Sequence, residues 1–422
     1  RAGGWLRGAG AGVSSVGAGG RLMAPSWPGM LGRAAQGCGG REAERERVEI
    51  QVKITAVRVL SVEGRERSGL ALYQTRRGGL APGQATPYRG MFTLVETDEG
   101  LTGLSQGGSP EIKAAGELLI GEDPTRLEYL WEKLYAALRP RVQPLAILDL
   151  CLWDLWGKIK GEPVYKLLGG PTRERIPAYA AMLGFDTEPQ AAARASVEWV
   201  EQGFSALKWY LPHNALDGRE GLARNVATIR AVRQAVGDDV QLMVDCLLSN
   251  PRANDLLYTI ELARRLEELQ VTWLEEPLAF DDLEGHVKLS QATRVRLAFG
   301  EHHYTRWQFK AILDSGAATV VQPDPNAAGG ITEMRKIIAL ASTYGAIVVP
   351  HANESCRNNV HLLFAQSPRT CPLAEWGVRI NHNVQYFYTD FFAPRSGEFE
   401  LPGGPGFGYA LDPQKIVSRA EL

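Results

Sequence analysis

Asp245, Glu275 and Glu301 each close a short apolar run, and three carboxylates so placed invite chemistry. Brought together without a partner, they would repel and raise one another's pKa, and a hard divalent cation relieves that conflict. All-oxygen ligation with open positions suits Mg²⁺, with Mn²⁺ next. The absence of Cys or His from the set argues against zinc. Acidic residues at strand ends also cap helices, but three at the ends of consecutive runs favour a metal site. Asp324 and His351 close the next two runs. A carboxylate on one imidazole nitrogen fixes the tautomer and raises the basicity of the other, which makes a general acid/base pair. Lys208 sits within an earlier run, and Glu375 closes the last. Glu375 could hold a substrate carboxylate oxygen if protonated, or stabilise an enediolate by hydrogen bonding. The alternative for it is a structural contact.

These residues need elements that bring them to one place. From Ile176 onward the apolar runs are 176–182, 205–211, 240–245, 271–275, 296–301, 318–323, 346–351 and 371–375, with amphipathic stretches such as 255–269 between them. Strands alternating with helices predict βαβ units and a parallel sheet. Eight strands over about 200 residues predict a TIM-type barrel, whose strand ends meet at one face. A doubly wound sheet would show a Gly-rich nucleotide loop after its first strand, and none is there. Upstream, 48–60 and 91–97 read as strands and 110–160 as helices, the last of them, 146–160, stopping at Gly161. That order makes a small α+β domain. The Gly/Arg/Pro-rich stretch 64–90 reads as a long loop of the kind retained for function. The organisation expected is a tail over 1–47, an α+β domain over 48–175 completed by 386–422, and a barrel over 176–385.

Composition narrows the partners. Lys and Arg number 46 and Asp and Glu 48, so no overall basic field draws the chain to nucleic acid or an anionic membrane. No apolar run is long enough to span a bilayer. Cysteines at 38, 151, 246, 356 and 371 are odd in number and lack CxxC spacing, which fits a reducing, cytoplasmic setting. Residues 1–40 hold no Asp, Glu or Lys but 13 glycines. Such a segment is expected to be disordered, with an organelle-targeting role as the alternative.

Taken in order, Lys208, Asp245, Glu275 in WLEEP, Glu301 in FGEHH, Asp324 in QPD, His351 in VVPH and Glu375 resemble the mandelate racemase subgroup of the enolase superfamily. The segment GEPVYKLLGG, 161–170, is similar to that family's junction between capping domain and barrel. The resemblance covers about residues 50–415. It implies an α/β fold, a modified (β/α)7β TIM barrel under an α+β capping domain. It also implies one essential Mg²⁺ that chelates a substrate carboxylate, a small-molecule substrate and a homo-oligomer, often an octamer. The α-proton of a carboxylate is too weakly acidic for an unaided histidine, and a bound cation stabilises the second negative charge by several kcal/mol.

The sequence departs from the racemase pattern at one point. Racemases of the subgroup carry Lys-x-Lys after the second strand, whereas this chain has Lys208-Trp209-Tyr210. A phenol with an ordinary pKa of about 10 is a poor base. A one-base reaction fits better, in which His351 takes the α-proton and its conjugate acid protonates a departing β-hydroxyl. That is dehydration of a polyhydroxy acid to a 2-keto-3-deoxy acid. The finer match, Phe299–His303, Gln322–Asp324 and Val348–His351, resembles the L-rhamnonate dehydratase group. A racemase, epimerase or cycloisomerase of the same superfamily is the alternative, and a non-catalytic barrel the third reading. For substrate contacts, Arg76, Arg77 and Arg89 in the loop, His302 and His303 beside Glu301, and Tyr210 are the candidates.

Overall fold

A computed structural model describes residues 52–67, 86–247, 250–352 and 356–422. The expectations for 1–47, for Arg76 and for Arg77 fall outside the described residues. Two antiparallel strands open the described chain, β1 (Ile54–Arg67) and β2 (Thr86–Thr97), followed by β3 (Thr102–Gln106). The ladder continues past the residues expected to be loop, with Glu63 opposite Arg89 and Glu66 opposite Pro87. Residues 64–67 and 86–90, expected to be loop, are therefore strand. Polar residues did not stop the strands, because an antiparallel pair tolerates a polar outer face.

Three helices follow: α1 (Pro110–Gly116) and α3 (Gln143–Lys160) pack under this sheet, and α2 (Leu127–Leu138) packs on α3. α3 begins at the Gln143-Pro144 pair and ends where Gly161 takes the left-handed conformation, φ 67°. That matches the preference for Pro at a helix start and Gly just past its end. α3 is apolar on nearly all sides because it is covered on both: β2 and β3 lie on one side and a barrel helix on the other. A short helix, α4 (Val164–Leu167), leads into the barrel.

The barrel follows as β4 (Arg175–Ala181), α5 (Pro189–Glu201), β5 (Ala206–Tyr210), α6 (Gly218–Val236), β6 (Gln241–Asp245), α7 (Leu256–Glu267), β7 (Trp273–Glu275), α8 (Leu283–Ala292), β8 (Arg296–Phe299), α9 (Thr305–Ser315), β9 (Val320–Val321), α10 (Gly330–Thr343), β10 (Ile347–Val348), α11 (Cys356–Phe364) and β11 (Ala374–Gly377). The strands are parallel from β10 through β4, and β11 then pairs with β4. Between β10 and β11 the described ladder is open, bridged by the Val348 N–H to the Thr370 carbonyl at 2.8 Å. This is a TIM-type barrel with an α+β cap. The C-terminal stretch adds α12 (Ile380–Val384), β12 (Glu398–Glu400), which pairs antiparallel with β4, and β13 (Ser418–Glu421), which adds to the cap sheet beside β1.

The barrel wall sorts its residues by the period-2 rule of a strand. Leu207, Trp209, Leu242, Val244 and Leu274 face outward into the layer under the helices. Ala206, Tyr210, Met243, Trp273, Ala298 and Val320 fill the lumen. Lys208, Asp245 and Glu275 share the inward parity, and Asp245 lies directly opposite Glu275 in the ladder. Cap and barrel belong to one compact unit, and α3 joins them. Asp149 accepts hydrogen bonds from the Thr332 backbone at 3.0 Å and its hydroxyl at 2.6 Å, at the start of α10. The Trp131 indole donates to the Gly329 carbonyl at 2.8 Å.

Candidate active site

Lys208 and the carboxylates form a buried ion cluster at the top of the lumen. The Lys208 ammonium lies 2.5 Å from Glu275, 2.8 Å from Glu375 and 3.2 Å from Asp245. Its side chain is 1% exposed. Burial works against the ammonium, but the charges of Glu275 and Glu375 outweigh it and hold its pKa well above the ordinary lysine value. Burial raises Glu275 to about 8, with Lys208 pulling down and Asp245 pushing up. Burial, with Glu301 nearby, also raises Asp245 against the pull of Lys208. Glu275 is further held by the Gln322 amide at 2.8 Å and the Trp273 indole at 3.1 Å. Glu375 accepts from the Ala352 N–H at 2.8 Å. Burial pushes Glu375 up, but Lys208 and His351 hold it below the usual carboxylate range. An ionised Glu375 accepts hydrogen bonds only.

The histidine dyad sits one layer higher, on the loops after β9 and β10. His351 Nδ1 lies 2.8 Å from Asp324 Oδ2, and Nε2 lies 2.9 Å from Glu301 Oε2. Burial disfavours the imidazolium, but Glu301 and Asp324 on either side raise its pKa well above the ordinary value. The same contact works on Glu301: burial pushes it up, and the His351 charge outweighs that and brings it down to about 2. Asp324 is fixed in turn. Its other oxygen accepts from the Asn326 N–H at 2.8 Å, and its carbonyl takes the Ala328 N–H at 2.7 Å. The Asn359 amide holds the His351 carbonyl at 2.8 Å.

Glu301 lies two residues past its strand and reaches the site because Gly300 turns the chain. Gly300 sits at φ 140°, and a Cβ there would lie 2.8 Å from the Phe309 ring. Its N–H donates to Glu276 at 3.2 Å. A second turn follows at Thr305, φ 61°. For a β-branched residue that conformation is strained, at a cost on the order of 1–3 kcal/mol, and such strain gathers at functional sites.

A cavity of about 890 Å³ opens between cap and barrel over the dyad. The barrel contributes Glu301, His302, Tyr304, Asp324, Asn326 and His351 to its wall. The cap contributes Ser109, Glu111, Arg141 and Gln143, from the start of α1 and the turn between α2 and α3. Lys208, Asp245, Glu275 and Glu375 lie in the barrel below.

Of the expected substrate contacts, His302 reaches this cavity, 3.2 Å from Glu301. His303 does not. It packs among Phe280, Phe299 and Phe309, and burial with neighbouring histidines lowers it to about 4. Tyr210 is buried in the lumen, and burial raises its phenol well above the ordinary value. Apolar packing claims both rings, Tyr210 inside the lumen and His303 among the phenylalanines outside it, so neither lines the wall. Arg89 is also elsewhere. It is 73% exposed and pairs with Glu63 at 2.9 Å across the β1–β2 ladder. Tyr304, Arg141, Gln143 and Gln322 were missed by sequence reasoning. Tyr304 was within reach, since it directly follows the FGEHH strand end. Arg141 and Gln143 carried no signal, because only the docking of the cap brings their turn over the barrel.

Among the described residues no three His, Cys, Asp or Glu side chains stand together at ligating distance. Lys208 lies against Asp245 and Glu275, and His351 against Glu301. The donor chemistry nonetheless fits a hard cation. Asp245, Glu275 and Glu301 offer only oxygens, and in this buried site burial raises both Asp245 and Glu275, with Glu301 pushing Asp245 up and Asp245 pushing Glu275 up.

The comparisons with known proteins agree with this frame. Residues 190–415 match the enolase C-terminal domain-like model, and 89–169 the mandelate racemase / muconate lactonizing enzyme N-terminal domain. The chain belongs to the mandelate racemase/muconate lactonizing enzyme family of the enolase superfamily. It is 33% identical to an L-rhamnonate dehydratase of Saccharopolyspora erythraea, over 77% of this chain and 84% of that one. It is 30% identical to a D-galactonate dehydratase of Cronobacter sakazakii, over 79% and 92% respectively. Among solved structures, the 3,6-anhydro-D-galactonate cycloisomerase of Zobellia galactanivorans aligns with TM-score 0.72 and 26% identity, over 87% of this chain and all of that one. The chain is an enzyme of the lyase class. No helix among the described residues is long and apolar enough to cross a membrane.

Proposed function

We propose that this enzyme dehydrates an acid sugar, of the kind its L-rhamnonate and D-galactonate dehydratase relatives are named for, to a 2-keto-3-deoxy acid. The observation that carries this reading is the clamped His351, with Asp324 on Nδ1 and its Nε2 turned toward the cavity beside Glu301. Asp245, Glu275 and Glu301 would hold Mg²⁺, with Mn²⁺ as a substitute. When bound, that cation supplies Lewis-acid stabilisation of the charge that develops on the substrate carboxylate.

His351 does the proton work. With Glu301 turned from Nε2, only Asp324 holds the imidazole, and the neutral ring takes the α-proton from C2. The electron pair of the broken C–H bond forms the enediolate. Its collapse breaks the C3–O bond, and the His351 imidazolium protonates the departing hydroxide to water. The resulting enol tautomerises to the 2-keto-3-deoxy acid. Lys208, ionised between Glu275 and Glu375, adds a fixed positive charge near the developing anion. The burial and raised pKa of Tyr210 make it a poor second base, which supports the one-base route.

The test is a panel of acid sugars that includes L-rhamnonate and D-galactonate, with Mg²⁺ and with EDTA, read by semicarbazide for 2-keto acids. The expected result is Mg²⁺-dependent formation of 2-keto acid from at least one of them. A protein that consumes none, or that turns over fully in EDTA, sinks the reading. Likeness to the Zobellia cycloisomerase favours a second reading, which predicts an isomer with no loss of water. Mass analysis of the product separates the two.

A further inference from the structure

Tyr304 lies in the cavity wall three residues beyond Glu301, yet the proton transfers above do not use it. Its phenol is half-buried and shares the cavity wall with Gln143, which the cap presents at the first turn of α3. The Asp324 carboxylate is close enough to act on the same phenol. The backbone around Tyr304 is unusually determined. Its own N–H is held by Gln308 at 2.5 Å. The next residue, Thr305, keeps its left-handed conformation with its N–H on the Ala328 carbonyl at 3.1 Å. That carbonyl belongs to the loop which also carries Asp324. The ring is thus aimed from the same loops that aim the dyad.

A phenol and a primary amide lining one wall offer both donors and acceptors. Their complement is a neutral group that both donates and accepts, namely a sugar hydroxyl. A carboxylate only accepts, and the cationic Arg141 and Lys208 suit it better. We propose that Tyr304 and Gln143 form a cross-domain clamp on a hydroxyl of the substrate chain, which makes them specificity-determining residues. This assignment rests on the acid-sugar reading above. The clamp closes only when the α2–α3 turn is docked on the barrel, so it reads substrate length as well as polarity.

The experiment is calorimetric titration of the Mg²⁺-loaded full chain with L-rhamnonate, D-galactonate and lactate, the last being a 2-hydroxy acid with no distal hydroxyl. Tyr304→Phe keeps the ring and removes the hydroxyl, and Gln143→Leu keeps the shape and removes the amide. Each is expected to weaken the better-bound sugar acid about five- to tenfold, the worth of a neutral hydrogen bond. Lactate binding should stay within about twofold, and the double variant should lose little more than either single one. In turnover the loss should fall on KM with kcat nearly unchanged. Sugar-acid affinity of Tyr304→Phe within twofold of wild type overturns the clamp, as does an equal loss for lactate. A wild type that binds both sugar acids no better than lactate also overturns it. Dehydration is read separately: tight binding without 2-keto acid formation defeats the function reading and leaves the clamp standing.

Discussion

The two walls of the cavity are built on opposite terms. The barrel side is charged and, beneath the cavity, dry: Lys208 is 1% exposed, Glu275 2% and Glu375 4%, with Lys208 paired to both carboxylates. The cap wall is polar and wet, with Arg141 and Gln143 exposed on a turn and Glu111 within reach of the Arg141 charge. A charge in a low-dielectric site acts strongly but must be satisfied at every moment, so chemistry belongs on the rigid wall. Recognition needs groups that meet a ligand and can be exchanged without stranding a charge, which suits the cap.

The difference can be broken most severely at His351. His351→Asn should lower kcat by about 10²- to 10⁴-fold, the usual worth of a general acid/base. Exchange of the α-proton with deuterated water should vanish with it. Circular dichroism should be unchanged, and Asp324→Asn should reproduce much of the defect. Exchange that survives in a folded His351→Asn enzyme would return the racemase-like mechanism to first place.

Lys208→Met attacks the same wall through stability. Removing one partner of a buried ion cluster leaves uncompensated charge and should cost about 3–5 kcal/mol in urea unfolding without metal. Added Mg²⁺ should recover part of that loss, because a cation again faces Asp245 and Glu275. Metal-free stability equal to wild type would show that the cluster does not hold the barrel together.

Asp149 lies where the two regions meet. Burial raises it to about 7, although two bonds from Thr332 pull the other way. The folded state therefore holds the proton more tightly than the unfolded chain. Its stabilising contribution is full below about pH 4 and is lost as pH rises through about 7, on the order of 2 kcal/mol between pH 5 and 7. Wild type should lose that much relative to Asp149→Asn in urea titrations at the two pH values. Parallel profiles would rule out the shifted pKa.

Two smaller effects sharpen the contrast from the cap side. Arg141→Ala should raise KM severalfold while kcat holds within about twofold, as expected for uniform binding. A fall in kcat of the size seen for His351 would erase the distinction between the walls. Arg89→Ala should change stability by no more than about 0.5 kcal/mol and leave KM alone, because its ion pair with Glu63 is exposed. A clear rise in KM would restore Arg89 as a substrate contact.

Much of the barrel wall was legible in advance. Asp245, Glu275, Asp324 and His351 announce themselves as polar residues at the ends of apolar runs, and strand parity alone aims the first two inward. Tyr210 shows the limit of that logic. The same parity that makes it look like a site residue puts it into a packed lumen, where its ring is filler. His303 fails for a related reason, since the reversal at Gly300 sends His302 outward and leaves His303 among phenylalanines.

By itself, then, the sequence determined the alternation of strands and helices, the placing of three carboxylates and a histidine–aspartate pair at or just past strand ends, and the missing second lysine. Those follow from local periodicity and residue type, which act over a few neighbours along the chain. Tertiary structure alone decided which groups face one another: Lys208 among three carboxylates, His351 between Asp324 and Glu301, and Tyr304 against a glutamine more than a hundred residues upstream. Such pairings depend on how the cap docks and where loops turn. Those are set by burial and hydrogen-bond satisfaction across the whole fold, and no local pattern records them.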